Sequence, residues 1–174
     1  MTRFILETDR LLLREMHWAD YPALCKILRD PAVMHAYEGP FSHREAVKWL
    51  RKQRRNYKEL GFGLWAVVLK DTGKMIGQCG LTTQNTPGGR FIEVGYLFQK
   101  AHWHKGYATE AAIACRDFAF DKLNVYEIVS IIRDTNTASQ NVAKRNGMAV
   151  AGEFVKHYRG VDMPHYLFLV RRDT

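Results

Sequence analysis

Apolar positions recur at two spacings along this chain, and the switching between them lays out its elements. Residues 10–16, Leu64 to Lys70, Met75 to Thr83 and 91–98 carry runs or alternations of apolar side chains, as do 126–133, 149–158 and 163–171. Such patterns predict strands that are half or wholly buried. Between them, apolar residues three and four apart predict helices near 18–29, 43–59 and 106–121, and a short one over 137–146. The turn Asp71-Thr72-Gly73-Lys74 joins two strand patterns into a hairpin, and Asn85-Thr86-Pro87-Gly88-Gly89 marks the next loop. Asn136 or Thr135 suits an N-cap for the short helix, and Asn146-Gly147 its end. No repeat, low-complexity segment or linker divides the chain. The pattern predicts one α/β domain over 1–174, built on a largely antiparallel sheet of about six to seven strands flanked by helices.

Composition narrows the class. With 174 residues, 47% hydrophobic and 12% aromatic, the chain should bury a sizeable core without metal or disulfide support. Cys25, Cys79 and Cys115 are scattered thiols, odd in number and in no zinc spacing. His102-Trp103-His104 is an H-x-H, but no carboxylate or cysteine stands at a ligand spacing, so no metal is expected. Arg3, Glu7, Asp9 and Arg10 break the opening apolar run, which argues against a signal peptide or membrane span and for a cytoplasmic location.

A formal charge of +8 points to an anionic partner. Much of it lies in Lys48-Trp49-Leu50-Arg51-Lys52-Gln53-Arg54-Arg55, on the helix pattern 43–59. One reading is a solvated face; another is contact with RNA or the ribosome. Glu45 and Glu59 interrupt the run and weigh against calmodulin-type or membrane-surface binding.

The densest chemistry lies in residues 91–111, where a strand pattern meets a helix pattern through a basic turn. From Ala108 onward, Ala111, Ala112, Cys115, Phe118 and Ala119 share a helical face. The first turn of such a helix has unpaired N–H groups and partial positive charge, so it can seat a phosphate. Lys100 and Lys105 add charge, and Gly106 lets the backbone approach a ligand. An ordinary strand–loop–helix connection is the competing reading. Neither a Rossmann fingerprint nor a P-loop occurs, and Gly61-Phe62-Gly63 is only a G-x-G.

The run Trp103-His104-Lys105-Gly106-Tyr107-Ala108-Thr109-Glu110-Ala111 resembles the acetyl-CoA signature of the GNAT N-acetyltransferase superfamily. More narrowly, the chain is similar to the branch of ribosomal-protein N-terminal alanine and serine acetyltransferases. The likeness runs in order through Glu7-Thr8-Asp9-Arg10-Leu11-Leu12-Leu13-Arg14, Trp65-Ala66-Val67-Val68 and Met75-Ile76-Gly77-Gln78-Cys79-Gly80-Leu81, then the central run. It closes with Asn136-Thr137-Ala138-Ser139 and Lys144-Arg145-Asn146-Gly147-Met148. The resemblance implies a GNAT-like fold with two central strands, here 91–98 and 126–133, splayed to admit the pantetheine arm of acetyl-CoA. It implies that the backbone of Tyr96, Leu97 and Phe98 pairs with that arm as a borrowed strand would. The diphosphate would rest on His104, Lys105, Gly106, Tyr107, Ala108 and Thr109, and Asn136 would touch the pantetheine or cap its helix.

The resemblance also assigns chemistry. Glu93 is a lone carboxylate in an apolar strand, on one face with Phe91, Gly95 and Leu97. It is the candidate base, with a structural ion pair as the alternative. Many family members carry a tyrosine in the acid or thiolate-stabilising role where this chain has Ala143, and the resemblance implies that Ser139 takes over that role; a local helix-turn hydrogen bond is its bland alternative. Trp103 replaces a common Gln or Arg, and His104 a frequent glycine, which could narrow the loop. Tyr107, Tyr126 and Tyr158 could serve as proton donors, but aromatics in such settings are more often core. The function implied is direct acetyl transfer from acetyl-CoA to a primary amine in a ternary complex. The acceptor is a protein N-terminus, such as that of a ribosomal protein, or a small amine such as a polyamine or aminoglycoside. The basic composition leans toward a protein target, although Glu38, Glu45 and Asp20 could offer acidic contacts. The competing class is a non-catalytic CoA sensor or an RNA-binding module acting through 48–58. No pattern encodes the oligomeric state, a homodimer being open to it.

Overall fold

The computed structural model describes residues 4–172; Arg3 and the outermost ends of the predicted 1–174 domain lie outside them. Eight strands form one sheet: β1 (Phe4–Glu7), β2 (Leu11–Arg14), β3 (Leu64–Leu69), β4 (Met75–Thr86), β5 (Gly89–Phe98), β6 (Glu127–Arg133), β7 (Ala149–Tyr158) and β8 (Val161–Arg171). Four α-helices accompany it: α1 (Tyr21–Leu28), α2 (His43–Glu59), α3 (Tyr107–Lys122) and α4 (Thr137–Arg145). Short 3₁₀ turns occupy Trp18–Asp20, Met34–Tyr37 and Lys100–His102. The sheet order is β1-β2-β3-β4-β5-β6-β8-β7, and every neighbouring pair is antiparallel except β5 and β6.

The strand count exceeds the predicted six to seven because β1 has only four residues and half-exposed apolar positions, too short for an alternation signal. The expected helix over 18–29 is a 3₁₀ turn followed by α1, with Pro22 in the first helical turn. The expected loop at 85–89 is a tight hairpin, β4 running to Thr86 opposite Gly89.

β3 is buried throughout, between β2 and β4. Leu11 and Leu13 of β2, Leu24, Ile27 and Leu28 of α1, and Leu50 of α2 join it in the core, each fully buried. α3 buries Ala111, Ala112, Cys115, Ala119 and Phe120 against β4 and β5. Small residues there let the helix lie close to the sheet. Glycine has a steric purpose at Gly80 of β4: a Cβ there would stand 2.1 Å from the Gly63 carbonyl oxygen. α2 turns its apolar side inward and keeps Arg44, Lys48, Arg51, Lys52 and Arg55 exposed. Its Gln53 accepts the Leu64 N–H at 3.0 Å, and the Tyr57 hydroxyl donates to the Leu64 carbonyl, so the helix end pins the start of β3.

Candidate active site

Where β5 and β6 part, side chains replace the backbone ladder. The two parallel strands are in register only at Glu93 and Val129. One residue further, the Ser130 hydroxyl donates to the Val94 carbonyl at 2.8 Å. The Ile131 N–H donates to Glu93 Oε1 at 3.2 Å. These contacts satisfy polar groups that continued strand pairing would otherwise have served. Beyond them, β5 still pairs with β4 as far as Phe98, but its other edge is released from β6.

A cavity of about 670 Å³ opens at this splay, lined by Gly95, Tyr96 and Leu97 of β5, Ser130 to Arg133 of β6, and Asn136 and Ser139 at α4. Glu93 borders it. Thr82, directly opposite on β4, donates its hydroxyl to Glu93 Oε2 at 2.8 Å and itself accepts from Gln84 Nε2 at 3.2 Å. Enclosure by protein raises the Glu93 pKa above the usual carboxylate value; Lys156, Thr82, the Ile131 N–H and Gln84 pull the other way without cancelling it. The side chain still counts as half-buried because the cavity reaches it. A carboxylate with a raised pKa and access to a cavity can take a proton from a bound group.

Past the end of β5, Gly106 caps α3 with φ +80° and ψ 0°, and no side chain caps the first turn. By contrast, Ser42 and Glu45 form a capping box on α2, and Asn136 caps α4 by accepting the Ser139 N–H at 3.2 Å. The first amides of α3 are therefore left to an outside acceptor. Arg10 holds this turn from β2's side. Its guanidinium donates to the Lys105 carbonyl at 3.0 Å, pairs with Glu110 of α3's first turn at 2.6 Å, and lies 4.5 Å above the Tyr107 ring. Thr8 donates to the same Glu110 carboxylate at 2.6 Å. A Cβ at position 106 would meet Arg10 Nη2 at 3.3 Å. His104 takes φ +60°, a region where glycine is at ease and other residues are uncommon.

At α4, the Tyr96 hydroxyl donates to the Ser139 carbonyl at 2.9 Å, and burial raises its pKa well above that of a free phenol. With the Ser139 N–H also engaged by Asn136, that residue is fixed at the cavity wall. Ala143 is buried, one turn further along.

The opposite wall comes from residues 33–37, α2 and the β7–β8 hairpin, which contribute Val33, Tyr37, Trp49, Lys156 and Tyr158. Tyr37 meets Trp49 and Tyr158 edge to face, with ring centroids 6.2 and 6.5 Å apart. Ion pairs fasten the rim: Arg133 to Glu38, and Arg159 to Glu45 at 2.7 Å. The Met163 carbonyl accepts the N–H of the buried His165 ring at 2.8 Å.

The structure thus gathers Glu93, Tyr96, Leu97, Asn136 and Ser139 around one cavity, with the turn His104 to Thr109 at the α3 entrance beyond β5. Phe98 falls outside that lining: its ring covers Gly77, and its carbonyl accepts the Trp103 indole N–H at 2.9 Å. Two of the expected core tyrosines are exposed instead, Tyr126 at 56% and Tyr158 at 37%, the latter at the cavity rim. Thr82, Ser130 and Lys156 were not assigned to the site from sequence, and Arg10 was read only as part of the opening stretch. Thr82 alone had a signal, as the cross-strand neighbour of Glu93 once the hairpin register is drawn. Among the described residues, no group of three or more His, Cys, Asp or Glu is arranged to hold a metal. No helix among them is long and apolar enough to cross a membrane.

The residues at the splay and at α3 fit a coenzyme A molecule, offering an unpaired strand edge for its amide arm and uncapped amides for its diphosphate. Comparison with known proteins bears on the family. Residues 10–149 match the family described as "Acetyltransferase (GNAT) domain". The uncharacterized protein YkkB of Bacillus subtilis is 39% identical over 144 residues, which cover 82% of this chain and 84% of that protein. An acetyltransferase of Agrobacterium tumefaciens superposes with a TM-score of 0.81 at 29% identity, covering 99% of this chain and 95% of its own. In fold alone, the ribosomal-protein-S5-alanine acetyltransferase of Vibrio fischeri is also close, with a TM-score of 0.77 at 21% identity over 99% and 97% of the two chains. A sheet parted at Glu93, an open helix terminus behind Gly106 and a family match spanning both lead to one conclusion: this chain belongs to the GNAT acetyltransferases.

Proposed function

We propose that the chain transfers acetyl from acetyl-CoA directly to a primary amine, with Glu93 as the base. The observation that carries this reading is the enclosed Glu93 carboxylate, held by Thr82 and the Ile131 N–H on the border of a cavity. Bound acetyl-CoA supplies the acetyl group as an activated thioester. The α3 amides, ordered by Arg10 through Lys105 and Glu110, would hold the diphosphate, and the free edge of β5 at Gly95 to Leu97 the amide arm. Glu93 then takes the proton that the amine nitrogen loses as it bonds the acetyl carbon, and the upward shift of its pKa by burial makes it a stronger base than an exposed carboxylate. Ser139, its main chain fixed by Asn136 and Tyr96, would present its hydroxyl to the sulfur as the C–S bond breaks. Cys79 and Cys115 have no part: both are buried, and their sulfurs lie 3.6 Å apart within the core. No acyl-enzyme is needed, because amine and thioester can meet in one cavity.

The test is release of free thiol from acetyl-CoA with and without a panel of amines. Amine-dependent release is expected. Binding of CoA with no amine-dependent release would support a CoA sensor and sink this reading.

A further inference from the structure

We propose that the amine accepted here carries an anionic group, a carboxylate or phosphate a few bonds from its nitrogen, and that Lys156 of β7 binds that group. This rests on the acetyl-transfer reading and adds the substrate class. The carboxylates that could have drawn a polycationic acceptor are already committed. Glu38 pairs with Arg133, Glu45 pairs with Arg159 and caps α2, and Asp20 pairs with Arg14 at 2.7 Å. Glu93 is then the one acidic side chain lining the cavity among the described residues, and it is required at the reacting nitrogen.

The positive side is different. Lys52 and Lys156 line the same cavity, and among the described residues neither forms an ion pair. Lys156 is half-buried on the wall that also carries Tyr158, and its charge is felt at Glu93. An acceptor with ammonium at one end and an anion at the other would place each charge opposite its complement. Tyr37, Tyr158 and Trp49 offer aromatic walls for the carbons between. A polyamine or aminoglycoside would instead bring further ammonium groups against Lys156 and Lys52.

Steady-state kinetics with acetyl-CoA and matched amines test this: γ-aminobutyrate against butylamine, phosphoethanolamine against ethanolamine, the dipeptide Ala-Asp against Ala-Lys, and spermidine. The anionic member of each pair should lead in kcat/KM by about tenfold, the size of one close charge pair in a partly screened site. Lys156→Gln should remove that lead by cutting kcat/KM for the anionic member of each pair far more than for its neutral partner, and Lys156→Glu should invert it. Whichever anionic compound leads identifies carboxylate, phosphate or peptide as the source of the anion. Calorimetric titration of γ-aminobutyrate and phosphoethanolamine into the CoA-saturated protein separates the two layers of the argument. Lys156-dependent binding without acetylation would uphold the anion site while sinking acetyl transfer. Efficient acetylation with spermidine preferred would uphold transfer and overturn this proposal, as would a lead unaffected by either Lys156 variant. Absence of both binding and acetylation of every anionic amine would overturn it too.

Discussion

Glu93 is costly to the fold and useful to the site for the same reason. Enclosure favours its protonated form, so its folded pKa lies above the unfolded one. Stability tied to this residue is therefore fully present below the unfolded value and is lost as pH rises through the folded value. Glu93→Gln removes the penalty while its carbonyl oxygen can still accept the Ile131 N–H. At pH 7–8 the variant should melt about 2–4 °C higher, the shift that roughly 1 kcal/mol produces in a chain of this length. At pH 4 the advantage should vanish. Turnover should fall by about 10²–10⁴-fold, the usual worth of a positioned base. A variant with unchanged thiol release, or one that melts lower at pH 8, would remove this account of Glu93.

The α3 entrance is a device of one element, and its backbone conformation is what matters. Gly106 holds φ +80°, and His104 two residues earlier holds φ +60°. A β-branched residue at 106 would meet both the conformational penalty of the left-handed region and Arg10 Nη2 at 3.3 Å. Gly106→Val should weaken CoA binding at least about tenfold by calorimetry, while left-handed strain of about 1–2 kcal/mol lowers the melting temperature only modestly. Wild-type affinity in a folded variant would show that the diphosphate rests elsewhere. Most of this element was legible: the small-residue face of α3 and its start near 106 follow from spacing and residue type. The Arg10 brace was not, because ninety-five residues separate it from Lys105 and only the closing of β2 beside α3 brings them together.

Across the whole molecule, a second carboxylate shows the opposite pH dependence. Asp20 is 5% exposed, and although burial alone would raise its pKa, the bidentate Arg14 guanidinium and the His17 N–H bring it below the usual carboxylate value. Its stabilisation is present above the unfolded pKa and is lost as pH falls through the folded one. This pair fastens β2 to the start of α1, the joint from which the first helical layer leaves the sheet. Arg14→Ala would leave a buried carboxylate unpaired, and denaturant unfolding at pH 7 should show a loss of about 3–5 kcal/mol. The loss should shrink once acid protonates Asp20. A deficit under about 1 kcal/mol at pH 7 would mean that water replaces the arginine.

Residue order by itself determined seven of the eight strands and the four α-helices, because period-two and period-3.6 patterns are local and each element needs only its own stretch of chain to express them. It also marked Glu93, since a charge inside an apolar strand is conspicuous wherever that strand ends up. The fold alone decided what surrounds that charge. Thr82 reaches it through hairpin register, the Ile131 N–H through a parallel strand about forty residues on, and Lys156 through a hairpin near the chain's end. The sequence could not say that Glu38 and Glu45 are spent on Arg133 and Arg159, leaving Lys52 and Lys156 as cavity-lining charges outside the ion pairs. Charge balance in a cavity is a sum over distant elements, and only their packing performs it.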